Sequence, residues 1–274
     1  MKKTLISLFY ILFTIFPLMA SEYIFEGVKY VYIGDTYFCF NNGIFEKITC
    51  DEDGCWQTEG FLYSLSKEGA YLVANVEKEN KIDKIYIFNA DRKHLIFYDC
   101  DEKKIYDTTE KIGHRDESWI LSCTDYKASS YFSEILNGKK VEYLPSNLAI
   151  EKLTEAWVEG VSGYGKNEKI SFENRPLNGS RRLYIINGFF SPTKPYLYYD
   201  NNRIKTLVIN CYQDGLLVNT VEKVLEDTGE MQLLEFSERY SSFDFIIKDI
   251  YKGRKYDDTA LTGVFVDALD VYEN

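Results

Sequence analysis

Few side chains in this sequence have the type and spacing for acid–base or covalent chemistry. Glu159 and Glu168 are the nearest approach to the carboxylate pair of a glycosidase, whose separation decides retention or inversion. A nine-residue spacing across a glycine-rich loop does not select that geometry. His94 in DRKHL and His114 in IGHRDE have charged neighbours and no serine or cysteine elbow beside them. Two histidines are also too few for a His-rich metal site. The run GVSGYG has the glycines of a phosphate loop, but no Lys-Ser/Thr follows and no strand–helix setting surrounds it. Six cysteines (Cys39, Cys50, Cys55, Cys100, Cys123, Cys211) lack the paired C-x-x-C spacings of a zinc site. In an exported chain they read as structural disulfides or buried thiols, with Cys50 and Cys55, across the turn Asp51-Glu52-Asp53-Gly54, the nearest pair. No catalytic residue, metal or cofactor is expected.

The elements that carry these residues are strands. Of 274 residues, 23 are Tyr and 18 Phe, while only 5 are Pro, and aromatic residues favour strands. A net charge of −11 argues against binding a phosphate backbone, so nucleic acid is an unfavoured partner. Met1-Lys2-Lys3, the apolar run LISLFYILFTIF and Ala20 form a secretory signal over residues 1–20. An uncleaved anchor over Thr4–Ser21 is the alternative, and only then is the membrane a partner. Both readings export the chain to the periplasm, the cell surface or the medium. Cleavage removes two lysines and takes the charge from −11 to −13. Residues 21–122 read as short strands every 8–12 residues, with an Asn41-Asn42-Gly43 hairpin turn. That spacing predicts an antiparallel meander, sandwich or small barrel. The remainder predicts a loop-decorated β-sandwich, including ASSYFSEI, an Asn137-Gly138 turn and strands such as FDFIIKDIY.

Four ordered pieces in the second half carry a resemblance: AWVEG with GYG, ING followed by NNRIK, LED, and IYKGRKYDDT. Together they resemble the discoidin-like, glycan-binding domain of the bacterial NAD glycohydrolase translocation type, related to coagulation-factor C-type, galactose-binding-like sandwiches. The resemblance covers about residues 125–267 and implies a jelly-roll β-sandwich. Ile150-Glu151 stand where the family tends to have Asp-Gly. The NAD-cleaving activity of the named relative resides in a separate domain and is not implied for this chain.

The resemblance implies binding of a glycan or glycoconjugate through loops of the second domain. A sugar site needs an aromatic plate for the apolar ring face and polar groups aimed at hydroxyls. Trp157 is the candidate plate, with Glu159, Asn202, Arg203, Tyr256, Asp257 and Asp258 as hydrogen-bonding groups. Tyr164, Tyr196, Tyr198 and Tyr251 fall in or beside the same loops. Trp157 is equally readable as a plug between sheets, and Arg203 as the partner of Glu159 or Asp257 in a structural ion pair. The alternative function is a cell-envelope protein–protein or scaffold role with a degenerate sugar site.

Overall fold

The structure, a computed structural model, describes residues 25–32, 36–50, 56–90, 94–109, 120–174, 179–267 and 270. The expected signal segment, Cys55 and His114 lie outside these residues, as does the side chain of Cys50, so the Cys50–Cys55 pairing lies outside them too.

Eight strands come first: β1 (Lys29–Tyr32), β2 (Thr36–Asn41), β3 (Ile44–Cys50), β4 (Trp56–Glu68), β5 (Tyr71–Lys78), β6 (Lys81–Ala90), β7 (His94–Asp99) and β8 (Lys104–Thr109). They pair antiparallel in chain order, and β1 closes on β8 through Val31 and Thr109, making a meander barrel. Asn42 and Gly43 take φ of 49° and 78° between β2 and β3, the left-handed pair of a type I′ hairpin turn. Eight strands leave an interior just wide enough for side chains to fill. Rings fill it here: Phe38 packs 4.7 Å from Tyr106, and Phe40 4.7 Å from Phe45.

Strands β5–β7 are apolar on both faces, because period-2 alternation here serves two cores. Ala74, Ile85, Ile87, Leu95 and Phe97 point into the barrel. Their neighbours Val73, Tyr86, Phe88, Ile96 and Tyr98 point outward, into a second buried cluster shared with the rest of the chain. The unbroken apolar runs KIYIF and HLIFYD follow from this double burial.

The second half holds β9 (Ile120–Ser122), β10 (Thr124–Ala128), β11 (Ser133–Leu136), β12 (Lys139–Glu142), β13 (Trp157–Val158), β14 (Lys169–Glu173), β15 (Ser180–Asn187), β16 (Asn202–Gln213), β17 (Leu216–Val224), β18 (Met231–Tyr240), β19 (Ser242–Tyr251) and β20 (Thr259–Asp267). A one-turn helix, α1 (Leu197–Asp200), precedes β16. The order β10-β14-β19-β16 continues into β20-β15-β18 through only two parallel pairs, Asn202 with Thr259 and Arg203 with Ala260. The ladder thereby splits into two layers around a core that includes Trp157, Phe172, Leu207, Phe245 and Val264. The chain is all-β, an antiparallel N-terminal domain followed by a β-sandwich. Among the described residues β17 pairs with β16 alone, and Leu216, Leu217, Val218 and Val224 on it are exposed. No helix among the described residues is long and apolar enough to cross a membrane.

Candidate functional site

The residues that carry the family resemblance interlock at one end of the sandwich. Asn187 is fully buried; its Oδ1 accepts from the Ile204 and Gly188 amides and its Nδ2 donates 2.7 Å to the Ile204 carbonyl, stapling β15 to β16. Asn202, 1% exposed, accepts from the Gly253 amide at 2.7 Å and donates to the Asp257 carbonyl. Arg203, 4% exposed, grips Asp227 with two hydrogen bonds of 3.0 and 2.6 Å and donates to the Asn201 and Lys252 carbonyls. The buried ion pair is therefore with Asp227 of the LED piece, rather than with Glu159 or Asp257 as the sequence suggested. Asp257 is exposed, 3.9 Å from Lys252.

Trp157 is shut inside the core, its Nε1 donating 3.0 Å to the Ser130 carbonyl. It presents no ring face to solvent and acts as the plug between sheets. A two-residue strand displays no alternation, which is why the sequence left both readings open. Glu159 is also buried: Oε2 accepts from the Val161 amide at 2.8 Å, and Oε1 from the Thr259 amide at 3.4 Å. Burial pushes its carboxyl up to about 7, against the pull of those two amides. A Cβ on Gly165 would lie 2.6 Å from the Glu159 Cγ, so the last glycine of GYG makes room for this carboxyl. Glu168 accepts from the Ser129 and Ser130 hydroxyls. Both carboxylates of the would-be glycosidase pair are thus engaged in holding loops.

Beside this lattice lies a cleft of about 250 Å³. Phe132, Glu134 and Tyr143, in and around the β11–β12 hairpin, line it together with Phe189, Lys194 and Tyr196. Asn201, Tyr256 and Asp258 close it. Phe132 stacks on Tyr143 at 6.0 Å, and Tyr143 meets Phe189 edge-on at 5.8 Å. The Tyr143 hydroxyl donates 2.7 Å to Glu134 Oε1. Burial, then the charges of Asp257 and Glu134, raise the Asp258 carboxyl above its ordinary value. Tyr196 is 53% exposed, a ring half open to solvent. Apolar rings thus stand beside carboxylate, amide and ammonium groups in one concavity.

Of the residues expected to bind, Tyr256 and Asp258 line this cleft, whereas Trp157, Glu159, Asn202 and Arg203 brace the loops around it. Tyr196 from the wider aromatic set lines it too. Tyr198 is buried, Tyr251 donates to the Leu225 carbonyl, and Tyr164 is 36% exposed outside the cleft. Phe132, Glu134, Tyr143 and Phe189 were not singled out by sequence; for the first three the Asn137-Gly138 turn was the one signal, since a hairpin must fold those residues back together, and Phe189 had none. Among the described residues, no three His, Cys, Asp or Glu side chains converge as metal ligands. His94 lies on β7 opposite Thr109, within the barrel wall. Cys39, Cys100 and Cys211 are free thiols; burial pushes Cys100 up to about 12 and Cys211 to about 11.

Solved structures similar to this chain include several that cover about half of it. CpGH89CBM32-5 from Clostridium perfringens, in complex with GalNAc-β-1,3-galactose, is 15% identical with a TM-score of 0.40, over 53% of this chain and 94% of that one. The family 32 CBM from C. perfringens NanJ, in complex with galactose, is 11% identical with a TM-score of 0.37, over 52% and 91%. A putative chitobiase fragment from Bacteroides thetaiotaomicron is 10% identical with a TM-score of 0.42, over 57% and 95%. No curated protein matches the chain. The family model described as NAD glycohydrolase translocation F5/8 type C domain matches residues 122–267.

Proposed function

Because the chain belongs to the NAD glycohydrolase translocation F5/8 type C domain family, we propose that it is an exported, non-catalytic binding protein whose sandwich takes a glycan or glycoconjugate in the cleft between the β11–β12 hairpin and the 189–201 segment. The observation that carries the reading is the pairing of half-open Tyr196 with Glu134, Asn201, Tyr256 and Asp258 in one concavity. An aromatic face covers the C–H side of a pyranose, and carboxylate and amide oxygens accept from its hydroxyls. Trp157, Arg203 and Glu159 serve this site by fixing the loops. The absence of a role in proton transfer is supported by the engagement of Glu159 and Glu168 in loop-holding hydrogen bonds. Export rests on the basic and apolar N-terminal sequence.

The test is a glycan array followed by calorimetric titration of the best ligand. Tyr196→Ala is expected to weaken binding about tenfold or more, on the order of 1.4 kcal/mol, with the melting temperature unchanged. Asp258→Asn should weaken it similarly. No binding to any glycan by a folded chain overturns the reading. That outcome favours the alternative, an envelope protein–protein role, for which the exposed apolar edge of β17 is the supporting feature.

A further inference from the structure

We propose that the N-terminal barrel shapes the cleft, with Gly69 and Tyr86 as positioning residues; the inference rests on the glycan reading of that cleft. The segment 188–201 is a wall with two faces. Phe189, Lys194, Tyr196 and Leu197 look into the cleft. Phe190 and Tyr198, interleaved with them, look the other way and are fully buried against the barrel. The Phe190 ring has Phe88 at 4.9 Å, Tyr71 at 5.1 Å, Tyr86 at 5.2 Å and Tyr98 at 5.7 Å, all edge-on. Tyr198 meets Tyr71 at 5.6 Å. Four barrel rings therefore cup one sandwich ring whose sequence neighbour lines the cleft.

Backbone contacts make the hold directional. The Tyr86 hydroxyl shares its one proton between Glu68 Oε2 at 2.7 Å and the Pro192 carbonyl at 3.1 Å. Gly69, at φ +63° in the β4–β5 turn, sits so close to the wall that a Cβ there would lie 2.7 Å from the Pro195 carbonyl oxygen. Pro195 immediately precedes Tyr196, the half-open ring of the cleft. The wall is tied to the sandwich as well, by the Tyr198 hydroxyl, which donates 3.0 Å to Asp227, the same carboxylate that Arg203 grips. Between these holds, α1 and its flanks close through Leu197 N to Lys194 O, Asp200 N to Tyr196 O and Asn201 N to Leu197 O. A packed segment held on both sides has one position available, so a change on the barrel face must be transmitted to Tyr196.

The experiment uses the full chain. Gly69→Ala forces the Pro195 carbonyl aside and Tyr86→Phe removes one tether without emptying space. Tyr71→Phe is the control, since the Tyr71 hydroxyl has no hydrogen-bond partner among the described residues. Amide hydrogen exchange across 194–201 is expected to rise at least tenfold in Gly69→Ala and about threefold in Tyr86→Phe, and to stay level in Tyr71→Phe. Affinity for the best array glycan should fall about tenfold and threefold in the same two variants, at unchanged melting temperature for Tyr86→Phe. Unchanged exchange in both variants overturns the inference. So does altered exchange with unaltered affinity, which would leave the glycan reading standing. A wild-type chain that binds no glycan sinks that reading, and with it the positioning role.

Discussion

Glu159 shows what one buried carboxyl does to a loop. In the unfolded chain it titrates near the ordinary glutamate value, about 4.3; folded, it holds its proton up to about 7. Between those values the folded state binds more protons than the unfolded one, so this residue lowers stability as pH rises from about 4.5 to about 7. Glu159→Gln keeps an acceptor for the Val161 amide and cannot ionise. Chemical denaturation at pH 5 and pH 8 is expected to show a smaller loss in the variant than in the wild type; an equal loss would contradict the assignment. At this scale the sequence was half legible. It drew attention to Asn202, Arg203 and Glu159, which the structure buries at the loop end of the sandwich. Their burial was not legible, since burial of a polar group is decided by partners distant in sequence. Asp227, 24 residues beyond Arg203, is such a partner.

The strands were the most readable elements. Alternation and turn residues predicted the β2–β3 hairpin, and Asn42 and Gly43 take the left-handed backbone that such a turn requires. The runs in β6 and β7 carried more information than a strand alone, because apolar residues at odd and even positions require a core on each face. Ile96 and Leu95 are adjacent and nearly inaccessible, one facing the sandwich and the other the barrel interior. Ile96→Ala is therefore expected to cost about as much as Leu95→Ala, roughly 2–5 kcal/mol each in urea denaturation of the full chain. A cost under about 1 kcal/mol for Ile96→Ala would mean that its outer face is not a core. The β11–β12 hairpin was less readable: its four-residue strands are mostly exposed, so hydrophobic pattern says little about where it folds.

At the scale of the whole molecule, barrel and sandwich share one buried cluster, in which Tyr71, Phe88 and Tyr98 meet Ile120, Phe190 and Phe265. The sequence suggested two regions, 21–122 and 125–267, and gave no sign of the cluster between them, because a surface between domains looks locally like any core. Sharing it should make unfolding a single calorimetric transition, with calorimetric and van't Hoff enthalpies equal. Phe190→Ala, which empties the centre of the cluster, is expected to resolve two transitions; two in the wild type would show that the halves melt independently. The acidity met at the outset, −11 overall, bears on solubility and on partners rather than on this architecture.

The free thiols supply a clock. Cys100, half-buried, follows β7 in the barrel and Cys211 lies buried in the sandwich core, and in both burial raises the thiol above its ordinary value. The thiolate is the species that reacts with alkylating reagents, so each sulfur is expected to react faster once its own surroundings open. Pulsed alkylation read by mass thus timestamps the opening of each half separately, with no fluorophore or engineered probe added to the chain.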